Sequence, residues 1–70
     1  MITREQALHA FHLGLKHLGQ GKMVESARLC LEDAAILLSL SRWEDARERS
    51  ITSIAYSVGF LHADYQRLVR

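Results

Sequence analysis

Apolar residues recur every three or four positions along most of this chain, which is the period of an α-helix. Glycines interrupt the pattern at Gly19, Gly21 and Gly59, and a glycine after the last periodic residue can take the left-handed conformation that ends a helix. No run of residues keeps the alternating period of a β-strand. The sequence therefore predicts a single small all-α domain over residues 1–70, with helices at about 4–18, 22–40, 42–58 and 61–69.

Two capping boxes mark predicted helix starts. Thr3 is followed three residues later by Gln6, and Ser41 is followed in the same way by Glu44. In this motif the capping hydroxyl accepts a hydrogen bond from the backbone of the third helical residue, whose side chain accepts one from the backbone of the capping residue. We therefore expect the first helix to begin just after Thr3 and the third helix to begin at Arg42.

The first two helices are predicted to form an antiparallel hairpin, because closely spaced glycines let the chain reverse within a few residues. The first helix presents one apolar stripe, formed by Leu8, Phe11, Leu15 and Leu18 and flanked by Ala7 and Gly14. The second helix presents a wider inner face, which we expect to meet the first helix. This inner face consists of Met23, Val24, Ala27, Cys30, Leu31, Ala34, Leu37 and Leu38.

The second helix also carries a narrower apolar stripe, formed by Leu29, Ile36 and Leu40. At about 100° per residue, charged and polar residues separate this stripe from the inner face on both sides. One helical neighbour cannot cover both stripes, so either the C-terminal segment folds over the second stripe or another chain does. We predict a homodimer whose interface is Leu29, Ile36 and Leu40, with self-association through the third helix as the alternative.

The third predicted helix is apolar on the side of Ile51, Ile54 and Val58. An adjacent stripe of small residues at helical spacing permits close packing. These small residues are Ala46, Ser50, Ser53 and Ser57. Gly59 either ends this helix or kinks it, so residues 42–70 are predicted to form either one bent helix or two.

Composition narrows the class of protein. A chain of 70 residues forms one small domain, which excludes a multidomain enzyme. The net charge of +1 gives no basic footprint for non-specific nucleic-acid binding, and one cysteine cannot close an internal disulfide. Cys30 is expected to be buried as a small hydrophobe. No signal-peptide pattern is present and the longest apolar run covers residues 34–38, so we expect a cytoplasmic protein that does not bind a membrane.

Few residue combinations are typical of catalysis or metal binding. Glu5, His9 and His12 share one side of the first helix at spacings that could hold a metal ion. A lysine continues the same side, so a solvated polar face is the preferred interpretation. The adjacent carboxylates Glu32 and Asp33 point in different directions, which does not suit paired acid and base catalysis. We therefore predict that the protein is not an enzyme and uses no cofactor or metal.

Large residues at positions that a core does not require suggest a partner-binding surface. Trp43 and Arg47 are one helical turn apart, so the guanidinium could stack on the indole. In the competing interpretation, the aliphatic part of the Arg47 side chain is covered while its guanidinium reaches water, or the guanidinium forms a salt bridge with Glu44 or Asp33. Aromatic residues and arginine dominate interface hot spots. The predicted partner-binding residues are Trp43, Arg47, Tyr56, Phe60, Tyr65 and Arg67.

A pattern over residues 13–33 joins Leu13-Gly14, His17 one turn later, Gly21 at the turn, Glu25-Ser26 and Cys30. This pattern resembles a tetratricopeptide repeat. It departs from the family where alanine is usual and this chain has an aspartate, and no second copy follows about 34 residues later. The resemblance implies a tight antiparallel helix pair with a partner-binding face rather than a solenoid.

A second pattern joins Ile51, Ile54-Ala55, Val58-Gly59-Phe60 and Tyr65. Over residues 51–65 it resembles the helix-turn-helix of AraC-family transcription regulators. The chain departs from that family after Tyr65, where glutamine replaces phenylalanine, and the family domain of about 100 residues carries two such units. The resemblance implies DNA binding through residues 51–70, with few basic residues to neutralise phosphates.

Small size, near-neutral charge and surplus apolar surface favour a non-enzymatic helical module that binds and modulates another protein. Such a module would act as an adaptor, an anti-activator or an inhibitor, and by analogy compact proteins of this kind are typical of bacteria and phages. The alternative is a small DNA-binding transcription regulator that uses residues 51–70.

Overall fold

The structure is a computed structural model that describes residues 1–58. It contains three helices: α1 (Arg4–His17), α2 (Val24–Ser39) and α3 (Trp43–Val58). These bounds differ from the predicted bounds by at most two residues at either end, so the all-α class and the three helices are confirmed. The predicted helix at 61–69 and the predicted break at Gly59 lie outside the described residues.

The start and end of α1 follow the sequence signals. The Gln6 backbone N–H donates to Thr3 Oγ1 at 3.2 Å, and the Thr3 backbone N–H donates to Gln6 Oε1 at 2.9 Å. This reciprocal pair confirms the first capping box. Gly19 follows the C-cap residue Leu18 with a φ of 96°, and Gly21 has a φ of 76°. Both glycines therefore take the positive φ values that the sequence predicted for the turn.

The second predicted capping box is wrong, because Ser41 ends α2 instead of starting α3. Ser41 has a φ of 58°, whereas an N-cap residue takes an extended conformation. Its backbone N–H donates to the Leu38 carbonyl at 3.1 Å, and the Arg42 N–H donates to the Leu37 carbonyl at 2.9 Å. These two bonds form a Schellman motif, in which a left-handed residue satisfies the last carbonyls of a helix. The turn between α2 and α3 is consequently very short.

α3 is the central helix, since α2 and α1 both pack mainly against it and touch each other least. The sequence predicted that the inner face of α2 would meet α1, and this prediction of the main packing partner is wrong. The short turn makes α2 run antiparallel to α3. Gly21, in the loop between α1 and α2, lies against the backbone of Ser57 near the end of α3. The three helices therefore form an up-down-up arrangement around α3.

Small residues, rather than large ones, lie at the centre of the contact between α1 and α3. Ala7 and Ala10 are buried, whereas Leu15 of the predicted stripe is 47% exposed. Gly14 is also buried, against the side chain of Leu31 of α2. The predicted stripe of α1 therefore lies to one side of the true contact. The side chain of Ala10 packs with those of Ile51 and Ile54, and Leu13 and Val58 cover this cluster. Small side chains let the two helix backbones approach closely enough for this contact.

The contact between α2 and α3 is a seam of small residues, as the serine stripe predicted. Ser53 Oγ donates across it to the Ala27 carbonyl at 2.8 Å, and Ser50 Oγ donates within α3 to the Ala46 carbonyl at 2.8 Å. Among the described residues, Ser57 Oγ has no hydrogen-bond partner. Every member of the seam is at most 1% exposed: Ala27, Ala34, Ala46, Ser50, Ser53 and Ser57.

Candidate functional site

The side of α2 that faces away from α3 carries an exposed apolar row. We call this row the outer face of α2, and it consists of Leu29, Ile36 and Leu40, which are 53%, 58% and 61% exposed. Ala27 and Ala34 lie on the opposite side of the same helix and are fully buried. The sequence predicted this second stripe, and in the structure of residues 1–58 it has no covering helix.

Charged residues paired with one another line one edge of the outer face. Arg28 lies between Glu25 and Glu32, and its guanidinium hydrogen-bonds to both carboxylates, at 2.5 Å to Glu32 Oε2. The hydrogen bond to Glu25 and the charges of Glu25 and Glu32 raise the pKa of Arg28 above its ordinary value. This edge is therefore a solvated ion-pair network that runs parallel to the apolar row.

The other edge of the outer face is an ion pair between helices. Arg49 of α3 places Nη2 3.3 Å from Asp33 Oδ2 and 3.4 Å from Cys30 Sγ. The sequence suggested Arg47 as an ion-pair partner of Asp33, but in the structure Asp33 pairs with Arg49. The sequence could not identify this pair, because the register of α3 against α2 depends on how the small-residue seam packs.

Cys30 is buried beside this ion pair and is 4% exposed, as the sequence predicted. Burial raises the pKa of its thiol, the Asp33 carboxylate raises it further, and the Arg49 guanidinium lowers it. Together these effects raise the pKa of Cys30, so the thiol stays protonated at neutral pH. A protonated, buried thiol is a poor nucleophile, which suits a packing role for Cys30.

The predicted partner-binding residues do not come together on one surface. Trp43 is half-buried at the start of α3, where it lines an open hollow with Met1 and Ile2. Tyr56 is exposed, but it lies 13 positions after Trp43 on the same helix, which is about 20 Å along the helix and about 140° around it. Arg47 is half-buried and makes no stacking contact with Trp43 within residues 1–58. Phe60, Tyr65 and Arg67 lie outside the described residues.

Three hydroxyl groups of α3 have structural roles. The hydroxyl groups of Ser50, Thr52 and Ser53 all donate to backbone carbonyls rather than to a side-chain base. His9 and His12 are exposed on α1. Within residues 1–58, no three His, Cys, Asp or Glu side chains are grouped closely enough to hold a metal ion. The outer face of α2 is therefore the candidate site that the structure supports best.

No protein-family model, curated protein or solved structure matches this chain. The resemblances to tetratricopeptide repeats and to AraC-family regulators accordingly stay predictions from the sequence. Within the described part of the chain, no helix has the length and apolar character needed to cross a membrane.

Proposed function

We propose that this chain is a non-enzymatic helical interaction module that binds another protein chain through the outer face of α2. The observation that carries the proposal is the row of three large aliphatic side chains, each more than half exposed, on one side of a single helix. Exposed apolar rows rimmed by polar residues are typical of protein interfaces. An amphipathic helix docked in this way uses anchors at the spacing seen here.

The size of the outer face sets the expected strength of binding. Full burial of a leucine or isoleucine is worth about 1.5–3 kcal/mol, so covering three side chains that are already about half buried contributes about 3–5 kcal/mol. Association costs at least about 4 kcal/mol in lost freedom of motion. Binding through the outer face therefore needs help from its charged edges, and a reversible, regulatory interaction is the expected kind.

The charged edges also favour a protein over DNA as the partner of the outer face of α2. The two edges carry the carboxylates of Glu25, Glu32 and Asp33 against the guanidinium groups of Arg28 and Arg49. This surplus of negative charge repels a phosphate backbone. We propose that the module acts in the cytoplasm as an adaptor, an anti-activator or an inhibitor, and that DNA binding through residues 51–70 is the alternative.

A double substitution with a matched control tests the proposal. Leu29→Glu with Ile36→Glu places two charges on the outer face, while Leu15→Glu places a charge on an exposed leucine of α1. Affinity capture from extract, quantified by mass spectrometry, is expected to lose its specific partners with the double variant and keep them with Leu15→Glu. Circular dichroism confirms that both variants stay helical.

Two results would contradict the proposal. One is an unchanged set of captured proteins for the double variant. The other is salt-sensitive binding to duplex DNA at low ionic strength, which would support the alternative function.

A further inference from the structure

An open hollow with carboxylates on its walls lies in the groove between α2 and α3. Its volume is about 460 Å³, and its lining residues are Leu37 of α2 and Asp45, Glu48, Arg49 and Thr52 of α3. We call it the acidic hollow. Ligand pockets in proteins span about 300–1,000 Å³, so the acidic hollow has room for one long side chain of a partner.

The acidic hollow adjoins the outer face of α2. Leu40, the last residue of the apolar row, comes one helical turn after Leu37, so the two side chains are neighbours on the helix surface. Arg49, which forms one edge of the outer face with Asp33, also lines the hollow. A single partner segment can therefore cover the apolar row and fill the hollow at the same time.

Carboxylates outnumber guanidinium groups around this combined surface. The five carboxylates are those of Glu25, Glu32, Asp33, Asp45 and Glu48, and the three guanidinium groups are those of Arg28, Arg42 and Arg49. Each guanidinium group already forms an ion pair with one or two of these carboxylates. Glu48 is exposed and forms no ion pair within residues 1–58. The surface therefore presents a surplus of two negative charges to a partner.

This surplus selects a basic partner. A second copy of this chain would bring the same surplus to the interface, and like charges across an interface are unfavourable. A lysine or arginine side chain of another protein is complementary, because its aliphatic stem can pack on Leu37 while its charged end meets the Glu48 carboxylate. Apolar neighbours of that basic residue would cover the outer face of α2.

We infer that the outer face of α2 and the acidic hollow together bind a basic amphipathic segment of another protein, with a lysine or arginine of that segment beside Glu48. This inference rests on the proposed function and specifies the chemistry of the partner. Because Glu48 is exposed to water, the charged contact is expected to change affinity by several fold rather than by orders of magnitude.

Fluorescence anisotropy with synthetic peptides and the full chain tests the charge preference. Three labelled helical peptides of about 15 residues share one face of leucines and differ only at two flanking positions, which carry lysine, glutamine or glutamate. The lysine peptide is expected to bind about fivefold more tightly than the glutamate peptide at low salt, and added salt is expected to reduce the difference. Equal affinities, or no binding of any peptide up to about 1 mM, would overturn the inference.

A charge reversal with a matched control locates the basic contact. Glu48→Lys breaks no ion pair within residues 1–58, and Glu5→Lys makes the same change of net charge in the first turn of α1. Glu48→Lys is expected to lose the preference for the lysine peptide, whereas Glu5→Lys is expected to keep it. Circular dichroism confirms that both variants are folded. Equal effects of the two substitutions would overturn the inference, because net charge alone would then explain the preference.

Two other occupants of this surface are distinguishable. Residues 59–70 contain Arg67 and Arg70. If Arg67→Glu with Arg70→Glu raised the affinity for the lysine peptide more than Arg4→Glu with Lys16→Glu, the chain's own C-terminal residues would be the occupant and the inference would be overturned. A dimer in sedimentation equilibrium that Leu40→Glu dissociates would assign the surface to a second copy, with the same consequence.

The charge preference and the proposed function can fail separately. Captured partners that depend on Leu29 and Ile36, together with peptides of equal affinity, would leave the proposed function standing without the basic contact.

Discussion

Replacement of Gly21 by alanine is expected to destabilise the fold far more than replacement of the neighbouring turn glycine, Gly19. Both residues have positive φ values, of 76° and 96°. An alanine in the left-handed region lowers the free energy of unfolding by about 1–2 kcal/mol. Alanine also reduces the conformational entropy of the unfolded chain, which offsets about 0.4–1 kcal/mol of this loss. Conformation alone therefore predicts a loss of about 1 kcal/mol at either position.

Only Gly21 also lies against another element. A Cβ at Gly21 would be 2.3 Å from the carbonyl oxygen of Ser57, well below the 3.4 Å at which ordinary contacts begin, whereas nothing lies within 4 Å at Gly19. The α1–α2 loop or the end of α3 must therefore move by about 1 Å. Displacements of this kind cost about 1–3 kcal/mol in packed proteins. The expected total is about 3 kcal/mol for Gly21→Ala and about 1 kcal/mol for Gly19→Ala.

Urea denaturation followed by circular dichroism at 222 nm measures both losses, and thermal melts check them. Each kcal/mol shifts the midpoint of a domain of this size by about 4–8 °C, so Gly21→Ala is expected to melt about 8–16 °C below Gly19→Ala. Domains this small have only about 3–5 kcal/mol of net stability, so Gly21→Ala is expected to be partly unfolded at 25 °C. Equal destabilisation by the two substitutions would refute the close contact between the loop and α3.

Two further predictions concern serines. Ser53→Ala removes the hydrogen bond to the Ala27 carbonyl and is expected to lower the free energy of unfolding by about 1 kcal/mol. Ser57→Ala removes a buried hydroxyl that has no partner among the described residues, so it is expected to leave stability unchanged or to raise it. Urea midpoints of the two variants check this, and a larger loss for Ser57→Ala would contradict it. Ser41→Gly relieves a φ of 58° and is expected to raise the thermal midpoint by a few degrees. A lower midpoint would show that the positive φ of Ser41 does not destabilise the fold.

The sequence predicted the local features of the fold well because each of them depends on residues close together in the chain. The capping box of Thr3 and Gln6 and the glycine turn at 19–21 need only neighbours within three or four positions. The serine stripe of α3 and the exposed row on α2 follow from helical period alone. The second predicted capping box was wrong because the local sequence around Ser41 fits either the start of α3 or the end of α2. In the structure, Ser41 takes part in the hydrogen bonds that end α2.

Other features could not be predicted, because they depend on which helices meet and in what register. Small residues bury little apolar area, so the hydrophobic pattern centred the predicted stripe of α1 on its large residues, with Ala7 and Gly14 at the flanks and Ala10 outside it. The structure nevertheless buries these three residues: Ala10 packs with Ile51 and Ile54 of α3, and Gly14 lies against the side chain of Leu31 of α2. The same packing decides that Arg49 reaches Asp33.

The sequence by itself determined three helices, most of their ends and the apolar row of Leu29, Ile36 and Leu40, because period and capping are local properties. Only the tertiary structure decided that α3 is central, that α1 is rotated away from its leucine stripe, and that an ion pair borders the exposed row. These features arise from the close packing of small side chains that lie far apart in the chain, and that packing leaves little signal in hydrophobicity.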